Sequence, residues 1–157
     1  MLHLIPAPLH RFALRLAHAV RRRWWRIAQV RLEGCRVLAF DRDGGVLLIR
    51  QSYGSGLWLL PGGGIARGEA PMAAALRELT EETGLALDQP HCLAVLDEPL
   101  YGTNNRVHLF AGAARGALRC DGREVIEARF FARDDWPHNL SPLLARRLDG
   151  WIALAID

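Results

Sequence analysis

"GGGIARGEAPMAAALRELTEETGLAL", residues 62–87, decides the reading of this chain. A glycine triplet leads into a segment with Pro71 placed for a first helical turn and Gly84 for a left-handed cap beyond the last. Stepped at about 100° per residue, Met72, Leu76, Leu79 and Thr83 fall within about 60° of one another, the buried stripe of a helix. Glu78, Glu81 and Glu82 gather on a different side, in the last turns, where the helix dipole prefers cations. Like charges three and four residues apart cost a few tenths of a kcal/mol each, and the dipole adds about 0.3–1 kcal/mol per exposed group. Arg77, four residues before Glu81, can offset one of them. Either these acids form a solvated face, or a cation is missing from the sequence. Three together with one arginine favour a cation. Oxygen ligands suit a hard divalent ion such as Mg2+, whereas zinc wants His or Cys, and this segment has neither.

Outward from this stretch the periodicity changes. CRVLAF (35–40) and VLLIRQ (46–51) flank DRDGG, which reads as a β-hairpin. SYGSG is a loop and LWLLP (57–61) a short strand; HCLAVLDEPL and RVHLFAGAA read as a strand pair joined through YGTNN. VIEARFF (125–131) is a further strand, and SPLLARRL opens a last helix with Ser141 as N-cap and Pro142 at its first position. Strands around a central helix with a second near the end predict a compact α/β sandwich.

The order Gly63, five residues, Glu69, seven residues, then Arg77-Glu78-Leu79-Thr80-Glu81-Glu82-Thr83-Gly84-Leu85 resembles the Nudix box with every defining position filled. The strands from about Cys35 to Trp136 also resemble the Nudix fold, which implies an α/β/α sandwich with a mixed sheet. The resemblance implies hydrolysis of a nucleoside diphosphate linked to another group, by a water activated through Mg2+ or Mn2+. It implies Glu78, Glu81 and Glu82 as metal-site residues, Gly63 as a carbonyl ligand, and Glu69 and Arg77 as residues that orient loop and helix. The general base stays open among Glu78, Glu81, Glu124 and Glu127. A catalytically silent, nucleotide-binding Nudix module is the alternative, although such modules usually carry degenerate boxes.

Substrate contacts are sought outside the box, in Tyr53 and Trp58 for stacking, in Tyr101 and Asn105 in the polar turn, and in Arg50 for phosphate. Trp58 is equally readable as core. His108 reads as a strand histidine with its hydrogen bonds satisfied.

The 157 residues suffice for one domain. No apolar run reaches the roughly 18–20 residues of a membrane span. Cys35, Cys92 and Cys120 form no CxxC pair, so neither a zinc ribbon nor a disulfide framework is expected, and a reducing cytoplasm is. The net charge of +3 is uneven. Residues 1–32 hold seven arginines and no acid, which leaves thirteen arginines against seventeen acids, a net −4, in the rest. Leu9, Phe12, Leu16, Val20, Trp24 and Ile27 keep helical spacing, so residues 1–32 are predicted as a basic amphipathic helical extension before a domain at 33–157. That helix packs on the domain or on a second copy in a homodimer, or lays residues 9–27 on a membrane surface. A nucleic-acid partner is the least favoured reading.

Overall fold

The computed structural model describes residues 32–100, 103–120 and 122–156, together with position 13. The predicted helix over residues 9–27 and the boundary at residue 32 lie outside the described residues, except for position 13 and the start of the first strand. So do the expectations of membrane contact and of a homodimer that rest on that helix.

Six strands form one mixed sheet: β1 (Leu32–Phe40), β2 (Val46–Gln51), β3 (Trp58–Leu59), β4 (Ala86–Leu100), β5 (Thr103–Arg115) and β6 (Val125–Phe131). The order is β3-β2-β1-β5-β4, with β6 also paired to β2. Among the described strands only β1 and β5 pair in parallel, in register from Leu32 against Asn105 to Phe40 against Ala113. The DRDGG turn closes because the Asp41 carboxylate accepts the N–H groups of Asp43 at 3.0 Å and Gly45 at 2.7 Å, a local side-chain substitute for backbone pairing.

Among the described residues two helices cover the two faces, α1 (Pro71–Thr83) and α2 (Pro142–Ile156). The period of two sorts the sheet residues between them. Val37, Ala39, Leu47 and Phe110 pack with Ala74, Ala75 and Leu79 of α1. Leu38, Leu48, Leu109 and Ala111 pack with Leu144, Leu148, Trp151 and Ile152 of α2. This is the expected α/β/α sandwich. Both helices begin as their residues predict. Pro71 stands in the first turn of α1, and the Ser141 hydroxyl accepts the Leu144 N–H at 3.3 Å. Gly84 ends α1 at φ 70°, donating its N–H to the Thr80 carbonyl at 2.9 Å.

The predicted strand at 57–61 shrinks to Trp58–Leu59. From Pro61 the chain leaves β2 and runs beside β1 instead. The Pro61 carbonyl accepts the Val37 N–H at 2.9 Å, the Gly63 carbonyl accepts the Cys35 N–H at 2.9 Å, and Ile65 donates to the Glu33 carbonyl at 3.1 Å. The glycine triplet is thus spliced into the sheet along β1. The long hairpin of β4 and β5 pairs Leu100 with Thr103, so Asn105 lies in a strand rather than in the polar turn expected of it.

Candidate active site

The splice requires glycine. Gly62 sits at φ 147°, and a Cβ there would stand 2.1 Å from the Cys35 carbonyl oxygen. Its N–H points at α1 and donates to Glu82 Oε2 at 2.9 Å. At Gly63 an added Cβ would fall 2.6 Å from the Glu78 carboxyl carbon, so the missing side chain is the space that Glu78 fills. Loop and helix therefore meet through two carboxylates one turn apart.

The three box glutamates have different surroundings. Glu82 is 6% exposed, and burial, the largest cause, pushes its carboxyl up to about 8. The Gly62 N–H and the Gln51 side chain hydrogen-bond the charged form and oppose the shift, while the negative charges of Glu78 and Glu124 add to it. Glu78 is also raised, and burial outweighs its hydrogen bond from Arg77. Glu81 is turned outward, its side chain 61% exposed. The expected single acid face is thus a buried Glu82, a half-buried Glu78 and an exposed Glu81.

Arg77 organises that rim. Its guanidinium meets Glu69 through Nε at 2.9 Å and Nη2 at 3.1 Å, and its Nη1 reaches Glu78 at 2.8 Å and Glu81 at 3.2 Å. Glu69 also accepts the Ala66 N–H at 2.9 Å, tying the far side of the loop to the helix. The Arg77 hydrogen bonds hold Glu69 at about 2, well below the usual carboxylate value, and Glu69 in turn raises Arg77, which stays charged. Among the described residues no group of three or more His, Cys, Asp or Glu side chains is placed to hold a metal ion. An open set of one or two carboxylates suits Mg2+, which keeps several waters and takes substrate phosphate oxygens rather than a protein cage. The Gly63 carbonyl accepts the Cys35 N–H and the weak donor Cys35 Sγ, the latter at 3.6 Å.

The other expected residues divide. Glu124 stands close enough to Glu78 and Glu82 to raise both. Glu127 does not join them. It receives Arg50 Nε at 3.1 Å and Nη2 at 2.7 Å, and the Arg50 guanidinium lies 6.0 Å from the centroid of Trp58, which packs on the α2 side of the sheet. Trp58 is 6% exposed and edge-on to Phe131 at 4.9 Å, which makes it a core residue. Tyr53 is half-buried in the loop after β2, Asn105 is 8% exposed in β5, and Tyr101 lies outside the described residues. His108 is not satisfied as expected, because its Nε2 is buried with no hydrogen-bond partner among the described residues. Gln51 escaped the sequence reading. As the last residue of an apolar strand it carries no signal, and only the fold brings it to Glu82.

Comparison with known proteins agrees with this geometry. Residues 30–152 match the family model described as the NUDIX domain. The "Putative 8-oxo-dGTP diphosphatase 2" of Mycobacterium tuberculosis is 39% identical over 98 residues, 57% of this chain, and the chain spans 63% of that relative's length. An ADP-ribose pyrophosphatase of Haemophilus influenzae is 44% identical over 63 residues, 38% of this chain and 29% of that protein. The crystal structure of a MutT NUDIX hydrolase from Burkholderia pseudomallei superposes with a TM-score of 0.67 at 28% identity, over 76% of this chain and 97% of that one. With a family model covering most of its length and the full box seated on this fold, the chain belongs to the Nudix family.

Proposed function

We propose that the chain is a metal-dependent pyrophosphohydrolase that cleaves a nucleoside diphosphate linked to a further group by attack of water at phosphorus. One observation carries this reading: buried Glu82 is drawn against Glu78 and Glu124, and the hydrogen bond it accepts, from the Gly62 N–H at 2.9 Å, brings no charge. Such a group of acids wants a cation. Glu78, Glu82 and the Gly63 carbonyl would hold it, with Glu81 at the rim. When bound, Mg2+ or Mn2+ neutralises pyrophosphate oxygens and activates a water.

The chain's own groups supply the rest. Glu124 is exposed and within electrostatic reach of the pair, and it accepts the proton of the attacking water. Arg77 and Glu69 keep the loop registered on the helix so that Gly62 and Gly63 face the carboxylates. Tyr53, in the loop that follows β2, is the group assigned to contact the nucleoside. The relatives' names, one an 8-oxo-dGTP diphosphatase and one an ADP-ribose pyrophosphatase, support a nucleotide substrate and differ over its second half.

The test is a panel of 8-oxo-dGTP, dGTP, ADP-ribose, nucleotide-sugars and dinucleoside polyphosphates, assayed with Mg2+ and with Mn2+. Release of a nucleoside monophosphate, abolished by EDTA, is expected. Tight binding with no hydrolysis in either metal would overturn the reading and leave a nucleotide-binding module.

A further inference from the structure

We propose that residues 9–27 of this chain dock as a helix on the outer part of the α1 face, across β5 and β4. The inference does not rest on the hydrolase reading above.

α1 covers the middle of its face and leaves the edge. β4 is the edge strand beyond β5, and among the described residues it reaches the cluster under α1 only through Leu87. From Cys92 onward the two sides of β4 differ. Leu93, Ala94 and Leu96 pack on the α2 cluster, whereas Cys92, Val95 and Asp97 on the α1 side are exposed, Val95 at 53%. Folded proteins commonly cover such an edge with a helix or a loop.

Two groups on β5 mark the same place. Register sets His108 between Cys35 and Val95, and Arg106 between Glu33 and Asp97. The His108 ring stacks on Phe110 at 6.5 Å between centroids. Its Nε2 and the Arg106 Nε are buried without a hydrogen-bond partner among the described residues, and Asp97 stands 3.6 Å from that Nε. Buried polar groups in folded proteins are nearly always bonded. The face therefore calls for a segment that brings polar as well as apolar groups.

Residues 9–27 fit on three counts. Leu32 opens β1 beside Asn105, which pairs on its other side with Glu98 of β4, so the chain enters the sheet at this corner. Residues 28–31 can span about 13 Å, and the two strand spacings from β1 to β4 come to about 10 Å. The stripe of Leu9, Phe12, Leu16, Val20, Trp24 and Ile27 needs an apolar surface, because a helix of this length is marginal alone. Charge agrees: residues 1–32 carry seven arginines and no acid, and Glu33 and Asp97 stand exposed where the chain enters. A helix over residues 9–27 is about 28 Å long, enough to shield in one pass the about 20 Å from Cys92 to Glu98.

The experiment is amide hydrogen exchange on the full-length chain, unaltered and as Val95→Arg and Leu154→Arg, with light scattering for its mass in solution. Val95→Arg puts a charge beside Arg106 and His108 and touches neither apolar cluster. Leu154→Arg is the control, an exposed apolar residue of α2 on the opposite layer. In the unaltered monomer, amides of residues 9–27 are expected to exchange about tenfold or more slowly than an unstructured chain. Val95→Arg should remove that protection while the amides of α1 keep theirs, and Leu154→Arg should leave both in place. Unprotected amides in the unaltered chain, or equal protection in Val95→Arg, would overturn the docking site. So would protection that disappears on dilution together with a dimeric mass, which would give the face to a second copy.

Discussion

A single carboxyl group sets the conflict in this molecule. Glu82 stands at about 8 in the fold against an unfolded value near 4.5, so between those values the folded chain keeps a proton that the unfolded chain has released. Without metal, the stability linked to this group is fully present below the lower value and is lost as pH rises toward the upper one, by on the order of a few kcal/mol. Glu78, also raised by burial, acts in the same direction. Melts in EDTA should therefore show a midpoint that falls from pH 5 to pH 8, and Glu82→Gln should flatten that slope. The same variant should lower turnover about a hundredfold or more while remaining folded, because it removes a charge the reaction needs but the fold does not. A Glu82→Gln protein with full activity, or with an unchanged pH slope, would contradict this. Arg77→Met should lower activity about tenfold or more, by freeing the loop that Glu69 anchors, with a drop of a few degrees in the melting midpoint. The residue scale was partly legible in advance. The resemblance of the box spacing singles out Glu82 and Arg77. That Glu82 is buried while Glu81 is exposed requires knowing where the glycine loop lies.

At the scale of elements, the glycine loop acts as a strand with no side chains in the way. Gly62→Ala should destabilise by on the order of 3 kcal/mol or more, because its Cβ would enter the Cys35 carbonyl of β1. Gly63→Ala meets only the movable end of Glu78, so it should fold and lose activity instead. Circular dichroism melts beside an activity assay separate the two, and equal stability losses would sink the distinction. The helices were readable from Pro71, Gly84 and Ser141-Pro142, since caps are local chemistry. The strand at 57–61 was read too long because apolar residues and a proline look alike whether they pair with β2 or run beside β1. The same limit hid a bulge at Ile126 in β6, since register is a property of two strands and only one was in view.

Over the whole molecule, α1 supplies the acids, the spliced loop supplies backbone groups, and the β2–β6 junction supplies Gln51 and Glu124. These come from residues 51, 62–63, 78–82 and 124, which only the sheet order β3-β2-β1 with β6 beside β2 assembles. Trp58 and Glu127 were candidates by sequence neighbourhood, and the sheet assigns both to its α2 side. Among the described residues no helix is long and apolar enough to cross a membrane. The most direct test of the account is a crystal grown with Mn2+, with data collected to locate that ion by its anomalous scattering. An anomalous peak within ligand distance of the Glu78 and Glu82 carboxylates, beside the Gly63 carbonyl, is the predicted result. A fully folded crystal soaked at saturating Mn2+ with no peak between those two side chains would contradict it.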